Sequence, residues 1–430
     1  MEFDYKKILI YGYEKSGRAV ENVLKDIKVN YMVYDRKNKV MGGNLLNELN
    51  KKILSQFDLV VISPGISIYD KYVKMAENLG IKVIGELEFG FWFTSADVIA
   101  VTGTNGKTTT THLINLALKQ AGYKSDEFGN IGNPLTNAYK KDLDYIVCET
   151  SSFQLETTDK FAPYVSVLLN VAQDHIDRHK TFENYINVKK SIFKNCDVSD
   201  YAVLNADDEN CAKISQEITG KQIVFNSENG FELRKSKLFF KGEFVIEINK
   251  KLLSYTYPDN ILATICALDA LDIDLGVINK IKPNEKMPHR LEKFATSCGV
   301  NYIDDSKATN PHSTLKAVSE ISGDIVLLLG GKNKGFDFND LISKLPDNVK
   351  IIVCFGKSGK KIYKVCKKYS KQAYYGKTLE IATNMAYNVT KQGDNVLLSP
   401  ACASFDEFDG YDKRGEFFKS VINKLVSKNE

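Results

Sequence analysis

The run Val101-Thr-Gly-Thr-Asn-Gly-Lys-Thr-Thr109 constrains this chain more than any other segment. An apolar stretch, Val98-Ile-Ala-Val101, leads into it, and a helical pattern from Thr110 to Gln120 leads out. Strand, glycine-rich turn and helix in that order make a cradle for phosphate. Glycines let backbone N–H groups crowd round phosphate oxygens, and the helix N-terminus adds positive potential. Lys107 neutralises the outer phosphates, and the Thr108 hydroxyl can reach Mg²⁺. Gly103, Thr104, Asn105, Gly106, Lys107, Thr108 and Thr109 are therefore expected to hold a nucleoside triphosphate. A plain Gly/Thr turn feeding a helix would leave Lys107 unexplained. The common form of this loop has Gly where Val101 stands, so the loop is of a variant class.

A chain of 430 residues has room for two to four domains of roughly 100–200 residues each. Its 43% hydrophobic and 26% charged residues are ordinary for a soluble globular protein. The net charge of +4, with both signs mixed along the chain, gives no argument for a nucleic acid or a membrane surface as partner. Eight cysteines lie scattered without a C-x-x-C pair, which reads as reduced, mostly buried thiols in the cytosol. No run approaches the ~18 apolar residues of a membrane span. The N-terminus MEFDYKKILIYGYEKSG lacks the apolar core of a signal peptide. A cytoplasmic location is expected.

Short apolar runs alternate with amphipathic stretches throughout. The pattern predicts strands over 7–11, 30–34, 59–63 and 82–84 with helices over 16–26 and 70–79 between them. This alternation implies a parallel sheet with helices on its faces. A second unit starts near Phe93 and carries the phosphate loop, with later strands over 145–148, 165–170 and 201–204. A β-rich patch over about 222–256 resembles hairpins, and 260–271 returns to helix. Pro283 and Pro288 mark a linker before a third unit, with strands near 301–303, 325–329, 351–355 and 395–399. The spans are 1–92, 93–292 and 293–430, and ligand clefts are expected at their junctions.

Polar residues gather at the predicted strand ends. Glu149 follows the strand over 145–148. A carboxylate there, beside the phosphate-loop strand, suits Mg²⁺, although Thr150, Ser151 and Ser152 equally suit a helix cap. The cluster Asp174-His175-Ile-Asp177-Arg178-His179 can bind metal or phosphate, or be a solvated loop. Lys189 and Lys190 sit on a predicted helix over 182–195, and the pattern alone selects neither. Arg290 can reach a phosphate or make a salt bridge. The run Asp304-Asp305-Ser306-Lys307-Ala308-Thr309-Asn310-Pro311 opens a helix with more polar groups than a cap needs. Gly330-Gly331-Lys332-Asn333-Lys334-Gly335 suits anion capture. Small residues in Ser399-Pro-Ala-Cys-Ala-Ser-Phe405 permit close backbone approach to a ligand, and Cys402 reads as packing.

Together, VTGTNGKTT, GNIGNP (129–134), ETSSFQLE (149–156), NVAQDHIDRH (170–179), MPHRLE (287–292), DDSKATNP (304–311), LLLGG (327–331) and LLSPACASFDEFDGYDKRG (397–415) resemble the Mur ligases, in order and over the whole chain. SSFQLE, DDSKATNP and SPACASFDEF are most similar to the member that adds D-glutamate. The resemblance implies an α/β fold of three domains. These are a Rossmann-like domain for UDP, a central P-loop ATPase domain, and a Rossmann-like C-terminal domain for the incoming amino acid. It implies a monomeric cytoplasmic enzyme using ATP, UDP-N-acetylmuramoyl-L-alanine and D-glutamate, with no nucleic acid and no membrane insertion.

Residue by residue, the resemblance implies that Lys107 holds the β/γ-phosphates, and Thr108 and Glu149 one Mg²⁺. His175 and a carbamate on Lys189 would hold a second Mg²⁺. Asn130 would contact the UDP substrate. Asn260 would meet adenine, with Arg290 and Asp305 on ADP. Ser16, Gly17, Asp35, Arg36, Ser63 and Gly65 would receive uridine and its phosphates. Lys307, Thr309, Lys334, Ser404 and Phe405 would surround D-glutamate. Glu14, Thr256-Tyr257, Lys332 and Tyr411 depart from the family pattern. Alternatives are a ligase for another amino acid or for folate polyglutamate, and a nucleotide or UDP-sugar binder without catalysis.

Overall fold

The computed structural model describes residues 3–37, 44–130, 132–282 and 288–427. Among these residues the strands form three sheets, each largely parallel. Two compact units are present: Met1–Val171 with Glu183–Pro283, and Ala172–Phe182 with Asn284–Glu430.

The first unit holds two sheets. The smaller runs Asn30–Tyr34, Lys7–Tyr11, Leu59–Ile62, Lys82–Gly85 in spatial order, all parallel. Leu59–Ile62 is buried at every position, as a parallel strand covered on both faces must be. The helix Lys15–Asp26 buries Ala19, Val20, Val23 and Leu24 in one stripe, which is what the i, i+3/i+4 spacing dictates.

The larger sheet has nine strands, with the phosphate-loop strand Asp97–Thr102 between Val165–Leu168 and Tyr145–Glu149. The helices Lys107–Gln120 and Pro258–Ala270 share one core, with Leu113, Ile114 and Ala117 meeting Ile261, Ile265 and Leu268. The second of these begins at Pro258, earlier than the pattern predicted. Proline at the first helical position loses no hydrogen bond and presets φ. The β-rich patch is an extension of this sheet. Lys221–Phe225 pairs parallel to Phe231–Arg234 through Phe225 and Phe231, and Lys237–Phe240 and Glu243–Glu247 follow antiparallel. The predicted helix over 182–195 is α-helical for Phe182–Lys190 and tightens to a 3₁₀ turn at Ser191–Phe193.

The helix Glu86–Trp92 ties the two sheets of this unit together. The buried Glu88 carboxylate accepts the N–H groups of Asp159 (2.9 Å), Lys160 (2.7 Å) and Phe161 (3.0 Å), and the Trp92 indole N–H (2.6 Å). Four donors satisfy a charge that burial would otherwise make costly. Its neighbour Glu86 takes the Thr136 N–H at 2.8 Å, and burial pushes its carboxyl pKa up.

The second unit carries the third sheet, ordered Glu292–Ser297, Val300–Asp304, Asn395–Leu398, Ile325–Gly330, Val349–Phe355, Ala373–Tyr375. Only the first pair is antiparallel. All eight cysteines are free, and seven of them are buried. Of the expected linker, residues 283–287 lie outside those described, as does Met287 of the MPHRLE run.

Candidate active site

The phosphate loop is held from three sides. Gly106 caps the helix Lys107–Gln120 at φ +88°. A Cβ there would lie 2.5 Å from Asn260 Oδ1, so only glycine fits. Asn170 grips Asn105 at both ends: its Oδ1 accepts the Asn105 N–H (2.9 Å) and its Nδ2 donates to the Asn105 carbonyl (3.1 Å). The Thr104 N–H bonds the Asn170 carbonyl at 2.9 Å. Tyr185 Oη lies 3.1 Å from Thr104 Oγ1. These contacts fix the backbone of the loop, so its remaining groups need little reorganisation to meet an anion. Asn170 and Tyr185 carry no functional signal in the sequence pattern. Asn170 opens the run read for its histidines, and only its place at a strand end beside the loop hints at the clasp.

Glu149 ends the neighbouring strand, in register with Val101. It is 2% exposed. Asn130 Nδ2 donates to its Oε1 at 2.9 Å, while its Oε2 is buried without a hydrogen-bond partner. Leaving a carboxylate oxygen so placed is expensive unless a cation meets it. Glu149 and the Thr108 hydroxyl, from the first turn of the adjoining helix, are the oxygen donors a hard divalent cation takes. The cap is formed instead by Ser151 and Gln154, in a reciprocal capping box. Glu149 is therefore not needed as a cap.

Lys189 is 1% exposed. Its Nζ donates to the Gly103 carbonyl (2.8 Å) and to Thr102 Oγ1 (3.4 Å), and lies 4.9 Å from the Tyr185 ring centre. Lys107 Nζ also donates to the Gly103 carbonyl (2.8 Å), and to that of Thr104 (3.0 Å). Lys190 instead pairs with Glu217. Burial thus separates two lysines that the sequence leaves equivalent. Asn260 is buried, donating to Thr256 Oγ1 (2.7 Å) and accepting from Thr110 Oγ1 (3.3 Å). The unusual Thr256 thus fixes the orientation of the Asn260 amide.

In the smaller sheet, Asp35 takes the Tyr13 N–H (2.6 Å) and the Lys37 N–H (2.7 Å). Arg36 pairs with Asp70 at 2.8 Å and lies against the Tyr11 and Tyr72 rings. Ser63 Oγ donates to the Gly12 carbonyl at 3.0 Å, which ties the turn before Ser16 and Gly17 to the turn at Pro64–Gly65. Glu14 is exposed and makes no side-chain cap bond.

His175 belongs to the second unit, in left-handed backbone at φ +52°. Histidine is one of the residue types that tolerate this conformation. Next to it, the buried Asp174 takes the His175 N–H (2.8 Å), Lys334 Nζ (3.1 Å) and Asn310 Nδ2 (3.3 Å). Burial raises its pKa, but Lys334 and His175 outweigh this and hold it below the usual carboxylate range. Lys334 Nζ also reaches Thr309 Oγ1 at 3.3 Å, so two of the five residues expected around D-glutamate do meet. Asp174 joins them, a partner the sequence did not single out. Lys307 donates to Tyr411 Oη at 2.7 Å and sits over that ring. Ser404 is 2% exposed and Phe405 66%.

Asp305 accepts from Ser399 Oγ (2.7 Å) and the Leu291 N–H (3.3 Å). Burial pushes its carboxyl up to about 7, opposed by those two donors and by the Arg290 charge. His289, Glu292 and Asp304 cluster as metal ligands do. Lys419 Nζ, 2.8 Å from both Glu292 carboxylate oxygens and 3.7 Å from Asp304, already supplies the cation.

Three family profiles match: "Mur ligase MurD-like, N-terminal domain" over residues 6–85, "Mur ligase middle domain" over 101–268, and "Mur ligase, glutamate ligase domain" over 289–402. A protein of Caldanaerobacter subterraneus named UDP-N-acetylmuramoylalanine–D-glutamate ligase is 36% identical, covering 99% of this chain and 100% of its own. The chain belongs to the Mur ligase family. Another relative of this Mur ligase, from Clostridioides difficile and of the same name, is 34% identical with the same coverage. Among solved structures, the MurF ligase of Thermotoga maritima in complex with ADP has a TM-score of 0.63 at 17% identity, over 99% of this chain and 97% of that one. E. coli FolC in complex with DHPP and ADP has a TM-score of 0.59 at 16% identity, over 78% and 91%. These likenesses are of fold, and they bear out the three-domain α/β architecture. No helix among the described residues is long and apolar enough to cross a membrane.

Proposed function

We propose that this Mur ligase adds D-glutamate to UDP-N-acetylmuramoyl-L-alanine at the expense of ATP. It would act as a cytoplasmic monomer with functional domains over 1–92, 93–292 and 293–430. The observation that carries the reading is the partnerless buried oxygen of Glu149 beside a braced phosphate loop, in a chain whose full-length relatives bear that ligase's name.

The substrate carboxylate attacks the γ-phosphorus of ATP, releasing ADP and giving an acyl phosphate. The D-glutamate amine then attacks the acyl carbon. Loss of a proton and of phosphate leaves the amide. Oxide is a poor leaving group and phosphate a good one, which is what ATP supplies. Backbone N–H groups of the loop and Lys107 cradle the β/γ-phosphates. Thr108 and Glu149 would hold one Mg²⁺, and His175 and a carbamate on Lys189 are the residues that would serve a second; Mg²⁺ so held would supply charge neutralisation for the transferred group. Asn130 orients Glu149 and contacts the UDP substrate.

Asn260 fixes the adenine end, and Arg290 and Asp305 take the rest of ADP. Ser16, Gly17, Asp35, Arg36, Ser63 and Gly65 receive the UDP moiety. Lys307, Thr309, Lys334, Ser404 and Phe405 receive the two carboxylates and the side chain of D-glutamate.

Phosphate release by the purified protein with ATP, Mg²⁺, UDP-N-acetylmuramoyl-L-alanine and a panel of amino acids tests this. D-glutamate should stand alone in raising release. Release with another acceptor only, or nucleotide binding without turnover, overturns the reading.

A further inference from the structure

The whole-chain charge of +4 conceals a strong local imbalance. From Val349 to Lys377 the sequence carries nine lysines and no aspartate or glutamate. Six of these, Lys357, Lys360, Lys361, Lys364, Lys367 and Lys368, lie on the helix Gly356–Lys368 and are exposed. At about 100° per residue they span an arc of roughly 120°. The stripe opposite, Ser358, Gly359, Ile362 and Cys366, is buried, with Ile362 and Cys366 in the core of the sheet. The lysines thus form one continuous outer face.

Neighbouring elements do little to neutralise it. Asp337, at the start of the helix Phe338–Lys344, is held low first by Asn339 and only then by Lys361 and Lys368. Asp340 is paired with Lys344. Among the described residues none of the six helix lysines is in an ion pair. Tyr369, which caps the helix, and Tyr374, on the neighbouring edge strand, are 37% and 38% exposed.

We propose that this face docks on an anionic bilayer surface. The lysines meet lipid phosphates, and Tyr369 and Tyr374 lie at headgroup depth, where amphipathic rings are favoured. Clustered lysines on one helix face are the pattern that anionic lipid attracts. A nucleic acid fits less well: none of the nine cations is arginine, whose planar fork reads phosphates and bases in pairs.

Co-sedimentation of the full-length protein with vesicles tests this. Vesicles of phosphatidylglycerol and phosphatidylcholine in equal parts should carry the protein down, and pure phosphatidylcholine should not. Added salt should release it. A variant with Lys360→Gln, Lys361→Gln, Lys364→Gln and Lys367→Gln should bind up to roughly a thousandfold more weakly, with phosphate release and melting temperature unchanged. Equal sedimentation with both vesicle types overturns the proposal. So does undiminished binding by the variant, or tighter binding to a duplex oligonucleotide than to the anionic vesicles.

Discussion

Lys107 and Lys189 donate to a single acceptor, the Gly103 carbonyl oxygen, each at 2.8 Å. Their ammonium nitrogens are then no more than about 6 Å apart, and at an effective dielectric of about 20 two like charges so placed repel by roughly 3 kcal/mol. Phosphate on Lys107 relieves part of this. The proposed carbamate on Lys189 would relieve more of it, because it would turn a buried cation into an anion while keeping an N–H for Gly103. Lys189→Ala should therefore lose activity by roughly a hundredfold or more. Added acetate or formate should restore a part, and wild-type activity should fall in buffer stripped of bicarbonate. A fully active variant would exclude the carbamate.

Glu149→Gln separates a metal ligand from a structural group. The amide oxygen still accepts from Asn130, so the hydrogen bond at Oε1 survives. The buried Oε2 that lacks a partner is replaced by an amide nitrogen, and stability should change little. The Mg²⁺ concentration giving half-maximal activity should climb by roughly tenfold to a hundredfold. Thermal unfolding beside an Mg²⁺ titration decides. Loss of stability with an unmoved Mg²⁺ response would make Glu149 structural.

The Asn170 clasp should matter to nucleotide binding although Asn170 itself need not touch nucleotide. Asn170→Ala leaves the Asn105 N–H and carbonyl without their side-chain partners. A cost of about 1–3 kcal/mol in stability follows, together with a smaller rise in melting temperature on adding ADP. An unchanged ADP-induced rise would show that the loop holds its shape without the clasp.

What was legible in the sequence had local causes. The strand–loop–helix around Lys107 is dictated by an apolar run, two glycines and the residues between them. The parallel sheets follow from apolar runs that no helix could bury on one stripe. What stayed hidden depends on contacts far apart in the chain. Lys189 and Lys190 look alike until folding buries one against Gly103 and leaves the other with Glu217. Asp174 is one acid in a charged loop until Lys334, 160 residues on, meets it. Thr256 reads as a departure from the family pattern, and only the fold shows its hydroxyl holding Asn260.

Asp305 gives the stability a pH dependence of unusual sign. Its carboxyl is raised to about 7 by burial, so the folded state binds the proton more tightly than the unfolded chain. The associated stability is present below the ordinary carboxylate pKa of ~3.9 and is lost as pH rises to about 7, by at most roughly 4 kcal/mol. Asp305→Asn should flatten this limb in urea unfolding between about pH 4 and 7. An unchanged slope would mean the carboxylate is ionised throughout.

Asp406 ties the segment of Ser404 and Phe405 to that of Lys334. Its Oδ2 accepts the Lys357 N–H at 2.8 Å, at the N-terminus of the helix Gly356–Lys368. A Cβ on Gly356 would fall 2.5 Å from the same oxygen at φ +65°, so glycine is required there. From that helix the Ser358 N–H bonds the Gly331 carbonyl at 3.0 Å, and Ser358 Oγ takes the Asn333 N–H at 3.1 Å. Lys332 and Ala403 exchange both backbone hydrogen bonds. Asp406→Ala frees one end of this lattice. KM for D-glutamate should rise roughly tenfold, the loss of one charge-assisted hydrogen bond, while KM for ATP stays where it was. Asp406→Asn, which keeps an acceptor, should recover part of the loss. If the two KM values move together, or if Asn rescues nothing, Asp406 acts on the stability of the whole unit and does not position the D-glutamate segment.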